Sequence, residues 1–443
     1  MLVTTARYGN NMALDDPKRA RYLEFLARCD QAFRPFAPID LPEFFAGRIR
    51  HIRDLETELG APGRQVALFG ERGVGKTSLA KLAYFFLRRN EEQTHFVRCE
   101  RTSTFDTIFR DVLASAGVEL ALNGVESDRE RHGALGLGAL GTVGIGASRR
   151  VRQSFRRIVA GQGITPRMLL DQFADAEGLI IVDEYDRVSD EETHTRVAEL
   201  LKHFSDAASK TKIMLVGVAE TLSQLIGEHE SLSRSLAQIR LDRMSNEELT
   251  EIVHKGEGHL EAIVKGTIAN RIVGLADGFP YCVHLICRHA AHVAADQLLA
   301  GVGDRVVIAE DEYVQGLHAA LRNAEHTLSE RYAQAVITTR RPSEEFTLVL
   351  WGIALSDKRD VQVKDISKNM AFFTGEEPRP GSFNWNLGEL SSDKRANVLT
   401  KVREGYYKFT DPIMRPYVRS LMELENVVYR GKQWEFPFMQ KGV

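Results

Sequence analysis

The sequence predicts an α/β domain with a parallel sheet, an all-helical domain after it and a third domain of three helices and a β-ribbon, on three observations. Short continuous apolar runs, Val66-Ala-Leu-Phe69, Leu179-Ile-Ile-Val182 and Ile213-Met-Leu-Val216, alternate with helix-like periodicity and have no hairpin turns between them. That is the pattern of a parallel sheet with helices on both faces. Ser245-Asn-Glu-Glu248 is a capping-box signal opening an almost wholly helical stretch to about residue 335. From Glu344, three helical patterns precede the ribbon-like Val398-Leu-Thr-Lys-Val402 and Tyr406-Tyr-Lys-Phe-Thr410, the composition of a winged helix.

In order, residues 1–40 read as a polar N-terminal extension broken by Pro35 and Pro38, and Ile49, Ile52, Leu55 and Leu59 then carry a first core helix. The strand at 66–69 runs into a Gly-rich loop and a helix over 78–89. A strand over 94–98 and a helix over 105–113 follow, and then a long insertion, about 118–164, whose middle from Gly133 to Gly146 is glycine-rich. A helix near 168–173 leads to the strand ending in Asp183-Glu184; a helix over 195–204, the strand at 213–216 and a short strand at 239–241 close the α/β domain, assigned to 41–244. The helical domain takes 245–335, the winged helix 336–430 and a tail 431–443. No repeat of fixed period is present, which argues against a solenoid.

At 443 residues the chain has room for two to four domains of the usual size, roughly 100 to 200 residues each. A net charge of −3 excludes a protein that coats nucleic acid or anionic membrane with its whole surface, so any such contact is local. Four scattered cysteines, Cys29, Cys99, Cys282 and Cys287, suit a reducing compartment better than a disulfide scaffold. The first residues form no apolar leader, and no later stretch approaches the roughly 18 apolar residues of a membrane span, so a cytoplasmic location with no membrane contact is expected.

The chemistry sits in Gly70-Glu-Arg-Gly73-Val74-Gly75-Lys76-Thr77, placed after a strand and before a helix. Glycines let consecutive backbone N–H groups turn inward, and the helix that follows presents its positive end, so phosphate oxygens find donors there. Lys76 reaches the β and γ phosphates of ATP, Thr77 is placed to ligate Mg²⁺, and Ser78 is an adjoining candidate. A carboxylate ending a buried strand is costly without a cation, which makes Asp183 the second Mg²⁺ contact. Glu184 is placed to polarise a water against the γ phosphate. Arg234, before the short strand at 239–241, is the candidate for a cation supplied to a neighbouring subunit's ATP, which implies a homo-oligomer; a solvated surface arginine is the competing reading.

Taken together these residues resemble the AAA+ ATPases, and among them the origin-recognition and STAND-like branch. Phe45-Ala-Gly47-Arg48 is similar to the family segment that flanks the adenine, Ile181-Val-Asp-Glu-Tyr-Asp186 to its Walker B strand, and Gly278-Phe-Pro280 to the element that closes over the base. The resemblance covers about residues 40–290, more loosely 340–425, and implies a P-loop NTPase core with a helical lid, ATP and Mg²⁺ as ligands, and base contacts from Arg48 and Pro280. Two features differ: the polar sensor is reduced to Glu220 or Thr221, and Tyr281 stands where origin-recognition proteins often have an arginine, which favours the STAND-like comparison.

Three other signals bear on partners. Cys282, His284, Cys287 and His289 have zinc-ligand chemistry, but their spacing on a helix turns them to different faces, so packing is the better reading. Arg149, Arg150, Arg152, Arg156 and Arg157, with Phe155, could grip a nucleic-acid backbone or an acidic protein. The presumed recognition segment of the winged helix, Ser382 to Glu389, has no arginine or lysine, and its positive charge lies in Lys401, Arg403 and Lys408, so docking on protein and reading of DNA both stay open. The function expected is a nucleotide-controlled conformational and assembly switch acting on a protein partner, in a setting such as phage defence or mobile-element control. The alternative is ATP-regulated DNA binding of the target-selection or replication-initiator kind; a small-molecule kinase lacks an evident acceptor site.

Overall fold

The computed structural model describes residues 17–87, 93–118, 120–121, 158–159, 163–218, 235–303, 305–324, 326–338 and 342–425. Its centre is a five-stranded, wholly parallel sheet of β1 (Gln65–Gly70), β2 (Thr94–Arg98), β5 (Leu179–Asp183), β6 (Lys212–Val218) and β7 (Leu236–Arg240), in the order β2-β5-β6-β1-β7. The apolar runs sort by the period of two: Val66, Leu68, Leu179, Ile181, Met214 and Val216 join the core on one face, and Ala67, Phe69, Ile180, Val182, Ile213 and Leu215 the core on the other. Helices α2 (Ile49–Gly60) and α3 (Lys76–Phe86) cover the first face, and α4 (Phe105–Ser115), α5 (Pro166–Phe173) and α6 (Glu191–Asp206) cover the second. Two-residue strands β3 (Leu120–Ala121) and β4 (Ile158–Val159) pair in parallel at the ends of the insertion, and the rest of it, with Arg149, Arg150, Arg152, Arg156 and Arg157, lies outside the described residues.

The helical unit begins with α7 (Asn246–Leu260), whose capping box is formed as its sequence suggests: the Glu248 amide donates to Ser245 Oγ (3.2 Å) and the Ser245 amide to Glu248 Oε2 (3.0 Å). It continues through α8 (Gly266–Ala276), α9 (Pro280–Ala294), α10 (Asp296–Ala300), α11 (Glu310–Asn323) and α12 (His326–Val336). It is not purely helical, because β8 (Ile263–Val264) and β9 (Val307–Ile308) pair in parallel within it.

Residues 17–32, read from the sequence as polar extension, form α1 (Pro17–Ala32), which packs on α7, α9 and α10. Phe25, Cys29 and Phe33 are buried there, at a spacing of four that puts them on one helical face. Asp30 pairs with Arg288 (2.8 Å) and His292 (3.1 Å) of α9. Gly256 of α7 makes room for Phe33, since a Cβ on it would lie 2.1 Å from the ring's Cζ.

The C-terminal unit has α13 (Glu344–Ala354), α14 (Val363–Thr374) and α15 (Asn384–Leu390), then β11 (Leu399–Arg403) and β12 (Tyr406–Phe409) as an antiparallel ribbon. Two elements are additional to the sequence reading. β10 (Val361–Gln362) extends the ribbon to three strands in the order β10-β12-β11. Helix α16 (Met414–Leu424) runs back against α13, α11 and α8. The core of the first sheet face continues unbroken through the helical unit to Leu350 and Met414, so the three units share one apolar interior.

Candidate nucleotide site

The Gly-rich loop leaves the carboxyl end of β1. Gly70 passes so close to the next chain segment that a Cβ on it would lie 2.3 Å from the Leu241 carbonyl, and Gly75, at φ +95°, turns the backbone into α3. Val74 is wholly buried behind the loop. The Lys76 ammonium, only 8% exposed, donates to the carbonyls of Gly70 (3.1 Å) and Glu71 (2.7 Å), and burial pushes its pKa down to about 8. Those carbonyls hold Lys76 across the loop, where polyphosphate oxygens would exchange for them as partners.

β6 lies between β1 and β5, yet Thr77 and Asp183 meet beyond the strand ends: Thr77 Oγ1 donates to Asp183 Oδ2 at 2.9 Å. The Glu184 amide donates to the other carboxylate oxygen, also at 2.9 Å. Asp183 is 2% exposed, and burial raises its pKa against the lowering effect of these two bonds. A hydroxyl and a buried carboxylate are the hard-oxygen donors Mg²⁺ takes. Glu184 sits at φ +55° just after β5, where its carboxylate accepts from Arg187 (2.6 Å) and lies 3.7 Å from Arg98.

These groups open on a cavity of about 450 Å³, into which Gly73, Val74, Gly75, Lys76, Thr77 and Ser78 of the loop all face. Asp183, Glu184, Arg48 and Pro280 line it too, whereas Gly70 faces away, toward a second cavity between the loop and the C-terminal unit. Pro280 is the first residue of α9, with its Cγ 3.8 Å from where a Cβ on Gly75 would be.

Arg48 is 2% exposed, and its guanidinium is committed to the backbone: it donates to the Val74 carbonyl (2.7 Å) and to the Asp242 carbonyl (2.6 Å). Its own amide donates to Glu248 Oε1 at 2.6 Å, so one arginine ties the loop, the exit from the sheet and α7 together.

Sequence reasoning missed several parts of this cavity. Residues 34–39 form one wall, fixed to α3 where the Ile39 amide donates to Ser78 Oγ (3.1 Å); the clue was Phe36 and Ile39 among the prolines. His284 of α9 and Ile413, just before α16, also line it, beside Tyr281, which the sequence had already singled out in the lid. His284 is 6% exposed, and burial pushes its pKa down to about 4. Cys282 and Cys287 are buried beside it in α9, and burial raises both thiols. Arg234, Glu220 and Thr221 lie outside the described residues.

Behind the loop is a network no local pattern announced. Glu71 accepts from Arg243 Nε (2.7 Å) and pairs with Arg359 Nε of the C-terminal unit (2.9 Å), while Arg72 lies 3.6 Å from Asp411. Arg243 and the buried Arg419 of α16 both pair with Asp277, the residue before Gly278.

Residues 62–226 match the family model described as an AAA domain. The fold is similar to that of Cdc6p from Pyrobaculum aerophilum, at 14% identity, covering 89% of this chain and 98% of that one with a TM-score of 0.43. It is similar also to a Walker-type ATPase of Pyrococcus abyssi (16% identity, 88% and 99% covered, TM-score 0.47) and to the Aeropyrum pernix ORC1 protein in complex with DNA (15%, 89% and 96%, 0.42). No curated protein matches the chain. The α/β core has the P-loop NTPase fold of the AAA kind. Among the described residues no helix is long and apolar enough to cross a membrane.

Proposed function

We propose that this chain is an ATP-binding and hydrolysing AAA+ switch of the STAND-like sort, in which the nucleotide sets how a C-terminal winged helix and the arginine-rich insertion face a protein partner. The observation that carries this reading is the reach of the C-terminal unit to the loop. Ile413 lines the nucleotide cavity, its Cδ1 3.0 Å from where a Cβ on Gly73 would be, and Arg359 and Asp411 pair with the neighbouring Glu71 and Arg72. A polyphosphate bound at the loop would press on those same contacts.

In this reading the loop amides from Gly73 to Ser78 cradle the phosphates and Lys76 exchanges its two carbonyl partners for phosphate oxygens. Thr77 and Asp183 hold Mg²⁺, which neutralises charge on the phosphates when bound. Glu184 orients the attacking water, Pro280 closes toward the base, and Arg48 acts on the nucleotide through Val74. Arg234 of one subunit completes the site of the next. The resemblance of the motifs supports a cytoplasmic homo-oligomer, a form compatible with phage defence, mobile-element control or signalling. A second reading, ATP-regulated DNA binding, draws on the exposed Lys401 and Arg403 of β11.

The test compares wild type with Glu184→Gln for ATP binding, turnover and oligomeric state, with and without DNA. The proposal expects unchanged binding and turnover lower by about 10² to 10⁴ in the variant. Equal turnover in the two proteins would remove Glu184 from the chemistry, and turnover or assembly that depends on DNA would favour the second reading.

A further inference from the structure

Helix α9 begins at the phosphate loop, with Pro280 beside Gly75, and His284 follows on the same face, one turn and about 6 Å farther along the axis. That step leads from the phosphate end of the nucleotide cavity toward apolar lining from Phe44, Phe45, Met244 and Ile252. The His284 ring packs edge-on against the buried Phe33, with centroids 6.1 Å apart and planes at 65°, which fixes its orientation. Its Nδ1 is sealed from solvent without a partner, whereas Nε2 is not sealed, and the 6% exposure the residue keeps opens on the cavity it lines. Two arginines that also line the cavity already have partners: Arg34 is held by Asp40 (3.2 Å) and Arg48 by two backbone carbonyls.

Burial keeps this imidazole uncharged at neutral pH, so it carries one N–H and one bare nitrogen. An enclosed N–H without an acceptor is costlier than an enclosed lone pair, which leaves Nδ1 bare and puts the hydrogen on Nε2. A neutral donor among apolar side chains suits a heteroaromatic ring, whose faces are desolvated while a ring nitrogen keeps a hydrogen bond. We propose that His284 reads the base: its Nε2–H donates to a ring-nitrogen acceptor of the purine, and this contact separates a nucleotide from bare polyphosphate. The inference rests on the nucleotide-binding reading above and gives His284 the base contact that Arg48, spent on the backbone, does not supply.

The test is calorimetric titration of the full chain with a non-hydrolysable ATP analogue and with inorganic tripolyphosphate, in wild type, His284→Leu and His284→Gln. Leucine keeps an apolar contact with Phe33 and removes the donor, while glutamine can present an amide donor near the position of Nε2. His284→Leu should weaken the analogue about tenfold and leave tripolyphosphate unchanged, and His284→Gln should recover part of the loss. Of three analogues lacking the adenine N1, N3 or N7, one should bind wild type more weakly by a similar factor, and His284→Leu should no longer distinguish that one from its parent. Unchanged analogue affinity in a His284→Leu protein with a cooperative melting curve, an equal loss for tripolyphosphate, or three deaza analogues that all bind wild type like the parent overturns the proposal. A wild-type chain that binds no analogue at all overturns the nucleotide reading and this one with it, a result distinct from any difference between variants.

Discussion

Replacing Arg48 with methionine separates support of the loop from contact with the base. The guanidinium is buried, and its pKa is pushed down to about 10 by desolvation, against the pull of Glu248 and Asp242. From its ordinary 12.5, that displacement corresponds to roughly 3 kcal/mol at about 1.4 kcal/mol per pKa unit, a cost methionine does not carry. In the other direction, the carbonyls of Val74 and Asp242 lose their donor, at about 1 to 3 kcal/mol each. The two effects partly offset, so urea denaturation without nucleotide should move by no more than about 3 kcal/mol. Val74 belongs to the phosphate loop, however, and a loop free to turn its carbonyl should lose about 10- to 100-fold in affinity for an ATP analogue, read by calorimetry. Inorganic tripolyphosphate, which has no base, should lose affinity in the same proportion. Unchanged analogue affinity in a folded variant, or a loss confined to nucleotides that carry a base, would refute the argument.

Three further outcomes follow from the geometry. His284, with a folded pKa of about 4 against about 6.5 unfolded, contributes stability that is fully present above pH 6.5 and lost as pH falls toward 4, an acid limb of roughly 3 kcal/mol that His284→Leu should flatten in denaturation measured across that window. Gly256→Ala drives a methyl into the Phe33 ring and should cost about 1 to 3 kcal/mol, with faster proteolysis within α1; an unchanged melting curve would mean the helix is not seated there. If subunits complete one another's sites, Arg234→Ala should keep ATP affinity while lowering turnover by about 10³ or more, and mixing it with a Glu184→Gln protein should restore part of the activity.

What the sequence made legible was local. The strands of the sheet were readable because Leu179 to Val182 and Ile213 to Val216 are apolar on both faces, and the phosphate loop because its glycines, lysine and threonine occupy a fixed spacing. The meeting of Thr77 with Asp183 follows once the loop leaving β1 and the end of β5 lie at the same edge of a parallel sheet. Helix α16 was hidden by its own chemistry: Pro416 and the buried Arg415 and Arg419 break the apolar pattern a core helix usually shows, and their partners lie some 60 or 140 residues away. Arg48 was expected at the base, yet its charge is spent on two backbone oxygens, a use no spacing rule distinguishes from ligand contact. The Glu71 network was hidden for the same reason, since ion pairs between units leave no periodic trace.

Helix α1 rides on α7, α9 and α10, and the chain leaving it at once becomes the wall of the nucleotide cavity over residues 34–39. That wall is anchored at its far end to Ser78 of the phosphate loop. One short segment therefore runs from the helical unit to the phosphate loop. A swing of the helical unit would therefore carry residues 34–39 with it and pull on Ser78, so that movement in one unit is transmitted to the phosphate loop by a covalent segment of six residues.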